Sequence, residues 1–188
     1  MAKVTTWHID PVHSSVEFAV KHMMFSTVRG RFKKLTGTIQ TDEENPDRST
    51  VYVEIDAASI DTGAPDRDQH LRSADFLDVE NFPAIVFQSK QIAGAHAKPG
   101  DRFRVGGNLT IRGRSVPVTL DATFHGVGKD PWGHQRAGFS ASTEIDRRDW
   151  GLEWNQALET GGVLVGYTLK VQVDVEAVQE EAKGQAVA

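Results

Sequence analysis

The chain has 188 residues, of which 39% are apolar, with no cysteine and a formal net charge of −5. That length suits one domain with a sizeable core. The composition excludes disulfides, a thiolate nucleophile and a cysteine-based zinc site, the mildly acidic balance gives no footprint for nucleic acid, and no run of about 18 apolar residues offers a transmembrane helix. The opening MAKVTTWHID has neither an apolar h-region nor a small-residue cleavage site. No secretory signal is visible there, and a cytoplasmic protein is expected.

Short strand-like runs recur along the chain with turn signals between them, the pattern of a β sandwich or barrel. The first is Trp7 to Ile9, turned by Asp10-Pro11. Ser14 to His22 then alternates, with Val16, Phe18 and Val20 on one face. Residues 25 to 40 read as a long strand or strand pair, bent or bulged at Gly30 and Gly37. Val51, Val53 and Ile55 alternate after a polar turn at 42 to 49. Residues 61 to 83 break the rhythm: Pro65 suits a first helical turn, and Asp61 or Thr62 can cap it, which predicts a short helix over 65 to 73. Strands resume at 84–91, 102–112, 115–126 and 136–145, with Arg112-Gly113-Arg114 as a tight hairpin turn.

The last strand carries the clearest pattern. In VLVGYTLKVQVDVE, residues 163 to 176, every odd position is apolar: Val163, Val165, Tyr167, Leu169, Val171, Val173 and Val175. At this composition seven such hits in a row arise by chance roughly once in a thousand tries. A period of two means one dry face and one wet face. The segment from Ala177 is polar and small and is expected to fray. About eight antiparallel strands leave two sticky edges unless the sheet closes, and an eight-stranded barrel is wide enough to be filled by side chains or to hold one small ligand. Gly107, Ala122, Ala137 and Ala141 share the parity of the aromatic positions. Small residues among large ones fit either interdigitated packing or an open channel.

Three groups of residues bear on chemistry. Asp66 and His70, four apart on the short helix, share a face, as do Asp68 and Arg72. A carboxylate beside histidine can tune a general base, but no nucleophile elbow or oxyanion signature accompanies it. These pairs are therefore read first as stabilising a helix that plugs one barrel end, with Leu71 turned to the core. The seven histidines are scattered, without metal-ligand spacing, and no metal or cofactor is expected. Asp146-Arg147-Arg148-Asp149 reads as a rim salt-bridge group, and Trp150 and Trp154 beside it as gates of a pocket mouth or caps on the core.

Trp7-His8-Ile9-Asp10 with His13-Ser14-Ser15-Val16, Gly30-Arg31-Phe32, Arg67-Asp68-Gln69-His70-Leu71, Gly107-Asn108-Leu109-Thr110-Ile111-Arg112-Gly113 and Asp146-Arg147-Arg148-Asp149-Trp150-Gly151-Leu152 follow one another along the chain. In their order and spacing these stretches resemble the YceI-like family of lipocalin-like polyisoprenoid-binding proteins. The resemblance covers roughly residues 7 to 178. It implies an all-β fold, an extended eight-stranded antiparallel lipocalin-like barrel with a short helical plug, which often forms homodimers. A single domain over residues 1 to 178 with a polar C-terminal tail at 179 to 188 follows.

The expected function is binding and carrying, or sequestering, a long apolar chain inside the barrel: a polyisoprenoid, an isoprenoid quinone or another amphiphilic lipid. Each buried methylene of such a chain contributes about 0.8 kcal/mol. Strand parity selects the lining: Val16, Phe18 and Val20; Val53 and Phe87; Phe103, Val105 and Leu109; Leu120 and Phe124; Phe139; and Val165, Tyr167 and Leu169. Tyr167 places a hydroxyl on that wall, and a buried hydroxyl needs a partner. The alternatives are an enzyme on a lipid-like substrate with His70 as acid/base, and a filled, ligand-free stress-related module.

Overall fold

The computed structural model describes residues 3 to 181. Its strands are β1 (Val4–Ile9), β2 (Ser15–His22), β3 (Ser26–Phe32), β4 (Leu35–Asp42), β5 (Thr50–Asp56), β6 (Ile60–Asp61), β7 (Ala84–Ala93), β8 (Arg102–Ile111), β9 (Arg114–Lys129), β10 (Gln135–Asp146) and β11 (Thr168–Gln179). One helix, α1 (Pro65–Arg72), interrupts them. Around the barrel the order is β1, β4, β5, β7, β8, β9, β10, β11, and β11 pairs back onto β1 to close it. The eight-stranded antiparallel barrel expected from the strand count is thus present, and among the described residues no helix is long and apolar enough to cross a membrane.

The closing seam is shared. β1 pairs only the end of β11, at Trp7↔Gln179 through Ile9↔Ala177. β2 takes the earlier part of the same edge, at Lys170↔Ala19 through Asp174↔Ser15. The turn after Asp10 therefore splits one long edge partner into two strands. β2 continues through β3 to β6 as a leaf that leaves the barrel wall.

Both boundaries of the last strand differ from the sequence expectation. The strand placed at residues 163 to 176 begins at Thr168, because residues before it are held in a loop by side chains. Asn155 Nδ2 donates to the Val165 carbonyl at 2.6 Å, and the Val165 N–H donates to Asn155 Oδ1 at 3.0 Å. At the other end the strand persists where fraying was expected. Ala177 is fully enclosed, opposite Ile9 and Ala137, and Glu180 N–H donates to the Thr6 carbonyl at 2.8 Å. Most of the expected tail, residues 182 to 188, lies outside the described residues.

The helix forms nearly where Pro65 places it, but without the expected cap. Ala64 holds the N-cap position with no side-chain bond. Thr62 instead donates from N–H and Oγ1 to the buried Asp68 carboxylate, at 2.8 and 2.6 Å. The Asp68–Arg72 pair does not form, since Arg72 donates to the Ala58 and Ile60 carbonyls. Carbonyls left free by the turn at residues 57–60 outcompete an exposed i,i+4 ion pair, which contributes only a few tenths of a kcal/mol.

Candidate functional site

Register puts the predicted lining that lies on strands on one face. Leu169, Val171, Val173 and Val175 oppose Ile145, Thr143, Ala141 and Phe139 on β10. Across the other edge of β11, Val171 faces Phe18 and Val173 faces Val16. Around the wall, Phe87 opposes Leu109 and Val53, and Val105 opposes Leu120. These residues pack into two apolar clusters: a main one around Trp7, Ile39, Ile55 and Trp150, and a second around Phe87, Ile92, Val105 and Ala122.

The small residues on that face do not all mean empty space. A Cβ added at Gly107 would lie 2.7 Å from Phe87 Cζ and 2.4 Å from the Gln88 carbonyl oxygen. One at Gly30 would lie 2.4 Å from Phe18 Cζ. At both positions an aromatic ring occupies the room the missing side chain leaves, which is interdigitation.

Elsewhere the inner-face side chains are only partly covered. Of the predicted lining only Val16, Phe87 and Val105 are buried, and the others are half-buried. Phe18, Phe103, Leu109, Leu120, Phe124 and Phe139 all point to the inner face and yet keep accessible surface. Among the described residues no large side chain is completely enclosed.

Val165 and Tyr167 sit outside the wall, in the loop before β11. The Tyr167 ring lies under two guanidinium groups, 4.8 Å from Arg147 Cζ and 4.1 Å from Arg148 Cζ. The expected rim ion pair exists for one of these arginines only: Arg148 Nε donates to Asp146 Oδ1 at 3.0 Å. Arg147 is buried. It donates to the Gly166, Leu152 and Val165 carbonyls at 2.9, 2.6 and 3.2 Å, tying the loop to the barrel end. Burial pushes its guanidinium below the ordinary value, opposed by Tyr167 and Asp146. Trp150 caps the core, its Nε1–H donating to the Leu109 carbonyl at 2.8 Å.

His70 does not pair with Asp66. Its Nε2 lies 2.9 Å from Asp75 Oδ2, and its ring packs edge-on against Trp154 and Phe76 at 4.6 and 5.1 Å. Sequence spacing missed this because Asp75 follows the helix end rather than sharing its face.

A cavity of about 1150 Å³ lies on the opposite side of the sheet. Its charged and polar lining forms a cross-strand row by register: Asp121, Ser142, Gln172, Glu17, Arg31 and Asp61. This row lies on the wet face, and Ala19, Gly30 and Val171 line the same groove beside it. Of the predicted lining, Phe18 and Val20 border it.

Asp10, His13 and Glu176 bring ligand atoms within 4.8 Å of one another. The Arg136 guanidinium already holds two of these carboxylates, at 2.8 Å from Asp10 Oδ2 and 2.7 Å from Glu176 Oε1. The group is an ion-pair network centred on the Arg136 guanidinium.

The YceI-like domain family model matches residues 7 to 177. Protein YceI of Salmonella newport (strain SL254) is 43% identical over 140 residues, which is 74% of this chain and 71% of that protein. The fold superposes on Burkholderia cenocepacia BcnA with a TM-score of 0.74 at 24% identity, covering 89% of this chain and 98% of BcnA. It also superposes on a polyisoprenoid binding domain from Saccharophagus degradans, implicated in plant cell wall breakdown, with a TM-score of 0.71 at 15% identity, covering 96% of this chain and all of that one (100%).

Proposed function

The chain belongs to the YceI-like family, and from that premise we propose that it is a non-enzymatic carrier or sequesterer of a long apolar chain, a polyisoprenoid, an isoprenoid quinone or a related amphiphilic lipid. One observation carries the reading: the inner face of a closed barrel is apolar and aromatic, yet most of its side chains stay half-buried. Unfilled apolar surface inside a wall is costly in water and is relieved by an apolar guest. A chain entering between Phe18, Phe103 and Phe139 buries methylenes at about 0.8 kcal/mol each, without a charged anchor. The likeness to a polyisoprenoid binding domain supports the same chemistry.

The test is native mass spectrometry of the purified protein, with lipid extraction and titration by a fluorescent prenyl probe. A one-to-one complex with an isoprenoid-length lipid is the expected result. A protein that carries no lipid and fails to take up the probe overturns the proposal.

A further inference from the structure

The turn between β2 and β3 is built against local preference. Met23 and Met24 both have positive φ, 49° and 69°, and the Phe25 N–H donates to the His22 carbonyl at 3.3 Å. Two consecutive left-handed residues in a hairpin turn suit Asn-Gly, whereas an unbranched but bulky side chain there is strained. Such strain persists only where the surroundings impose it. Here the Met23 N–H donates to the Leu164 carbonyl, and the Gly166 N–H to the Lys21 carbonyl, both at 2.8 Å.

The strained turn does not bury its side chains. Met23, Met24 and Phe25 are 39%, 58% and 78% exposed, three adjacent apolar residues at one tip. The hairpin's own strands are equally one-sided in charge, although the loop that packs on the tip carries Glu153 and Glu159. From Phe18 to Thr41 the chain has five Lys or Arg and no Asp or Glu, in a protein of net charge −5. Arg29, Arg31 and Lys34 are exposed, and Lys33 pairs with Asp61 at 2.9 Å. Lys21 and Arg29 stand about 7 and 13 Å behind the tip along extended strands, comparable with the Debye length of about 8–10 Å at physiological salt.

We propose that this hairpin docks the protein on an anionic lipid bilayer, with Met23, Met24 and Phe25 entering the boundary between headgroups and acyl chains and Lys21 and Arg29 resting on the anionic surface. An apolar wedge with basic flanks is the combination that interfacial binding requires. Methionine and phenylalanine at a pinned turn present that wedge with little further ordering. The inference stands on the tip and its charge, independently of what the barrel holds.

The test is flotation of the purified protein with vesicles of phosphatidylcholine alone and with about three-tenths phosphatidylglycerol. Binding to the anionic vesicles, lost in high salt, is expected. Lys21→Gln with Arg29→Gln lowers partitioning by roughly tenfold or more, at about 1 kcal/mol for each surface-apposed basic residue. Met23→Asn, Met24→Gly and Phe25→Ser together abolish binding, while the melting temperature holds or rises because the turn is relieved. Probe uptake in vesicle-free buffer is unchanged in that triple variant, which separates docking from ligand binding. Equal partitioning onto both vesicle types, or wild-type binding by the triple variant, overturns the proposal. So does a triple variant whose only change is loss of a dimer in sedimentation, which makes the tip a contact between copies.

Discussion

Arg136 holds Asp10 at 2.8 Å although 126 residues separate them in sequence. The same guanidinium reaches Asp130 at 2.8 Å and Glu176 at 2.7 Å, so it joins the turn after β1, the β9–β10 turn and the β11 edge. Each aspartate also organises its own turn: Asp10 Oδ1 accepts from the Val12 N–H, and Asp130 Oδ1 from the Trp132 and His134 N–H groups.

This network makes stability fall in acid. Burial opposes ionisation of Asp10, but hydrogen bonds from His13, Arg136 and the Val12 N–H outweigh it and lower its pKa from 3.8 to about 2. The Arg136 hydrogen bond, helped by two backbone N–H groups and His134, holds Asp130 well below the usual carboxylate range. A carboxylate with a lower pKa in the folded state binds fewer protons folded than unfolded. Its contribution is full above pH 4 and drains as pH falls through the folded pKa. Thermal melts should be flat from about pH 7 to 5 and decline most steeply between about pH 4 and 2. Arg136→Met should lower the melting temperature at pH 7 and flatten that acid slope; an unchanged slope would contradict the assignment.

Arg147→Ala should cost about 3 kcal/mol or more, because three loop carbonyls lose a charged donor at a buried position. Arg147→Lys should not rescue it, since an ammonium cannot address three carbonyls with a planar fork. Chemical denaturation reads the cost, and faster proteolysis between residues 152 and 167 reads the loosened loop.

Gly107→Val should destabilise by about 1–3 kcal/mol through overpacking. A Cβ there meets both backbone and the Phe87 ring, and only the ring can move. Adding Phe87→Leu should recover part of the loss, a coupling that a double-mutant cycle measures.

Ala141→Phe should leave the fold intact while lowering prenyl-probe affinity by roughly tenfold, the equivalent of about two buried methylenes. Ala141 is half-buried on the inner face between Ala122 and Val173, beside the cluster around Phe87 and Val105. Fluorescence titration with circular dichroism separates blocked binding from unfolding. Undiminished affinity in a folded variant would place the guest elsewhere.

The strands were legible because a barrel wall imposes a period of two on every stave. Val16, Phe18 and Val20 announce their face without any tertiary information, and register places that face opposite Val173 and Val171 as parity requires. Val165 and Tyr167 were misplaced for the same reason. Their alternation continues the stripe of β11, but Asn155 and Arg147, outside that stripe, capture its backbone in a loop. His70 shows the same limit: helical spacing offered Asp66, and the chain beyond the helix supplied Asp75.

By itself the sequence determined the strand-rich class and the dry face of most strands, since these follow from local periodicity and turn chemistry, while the closed barrel was what the family resemblance implied. Only the tertiary structure decided which gaps are filled. Whether a small residue opens a channel depends on the ring across from it: Phe87 fills the room at Gly107, while Phe103, Leu120 and Phe139 keep exposed surface within the wall. It also decided that β1 and β2 share the edge of β11, and that Arg147 is buried rather than at the rim. These are relations between residues far apart along the chain, and no pattern of period two contains them.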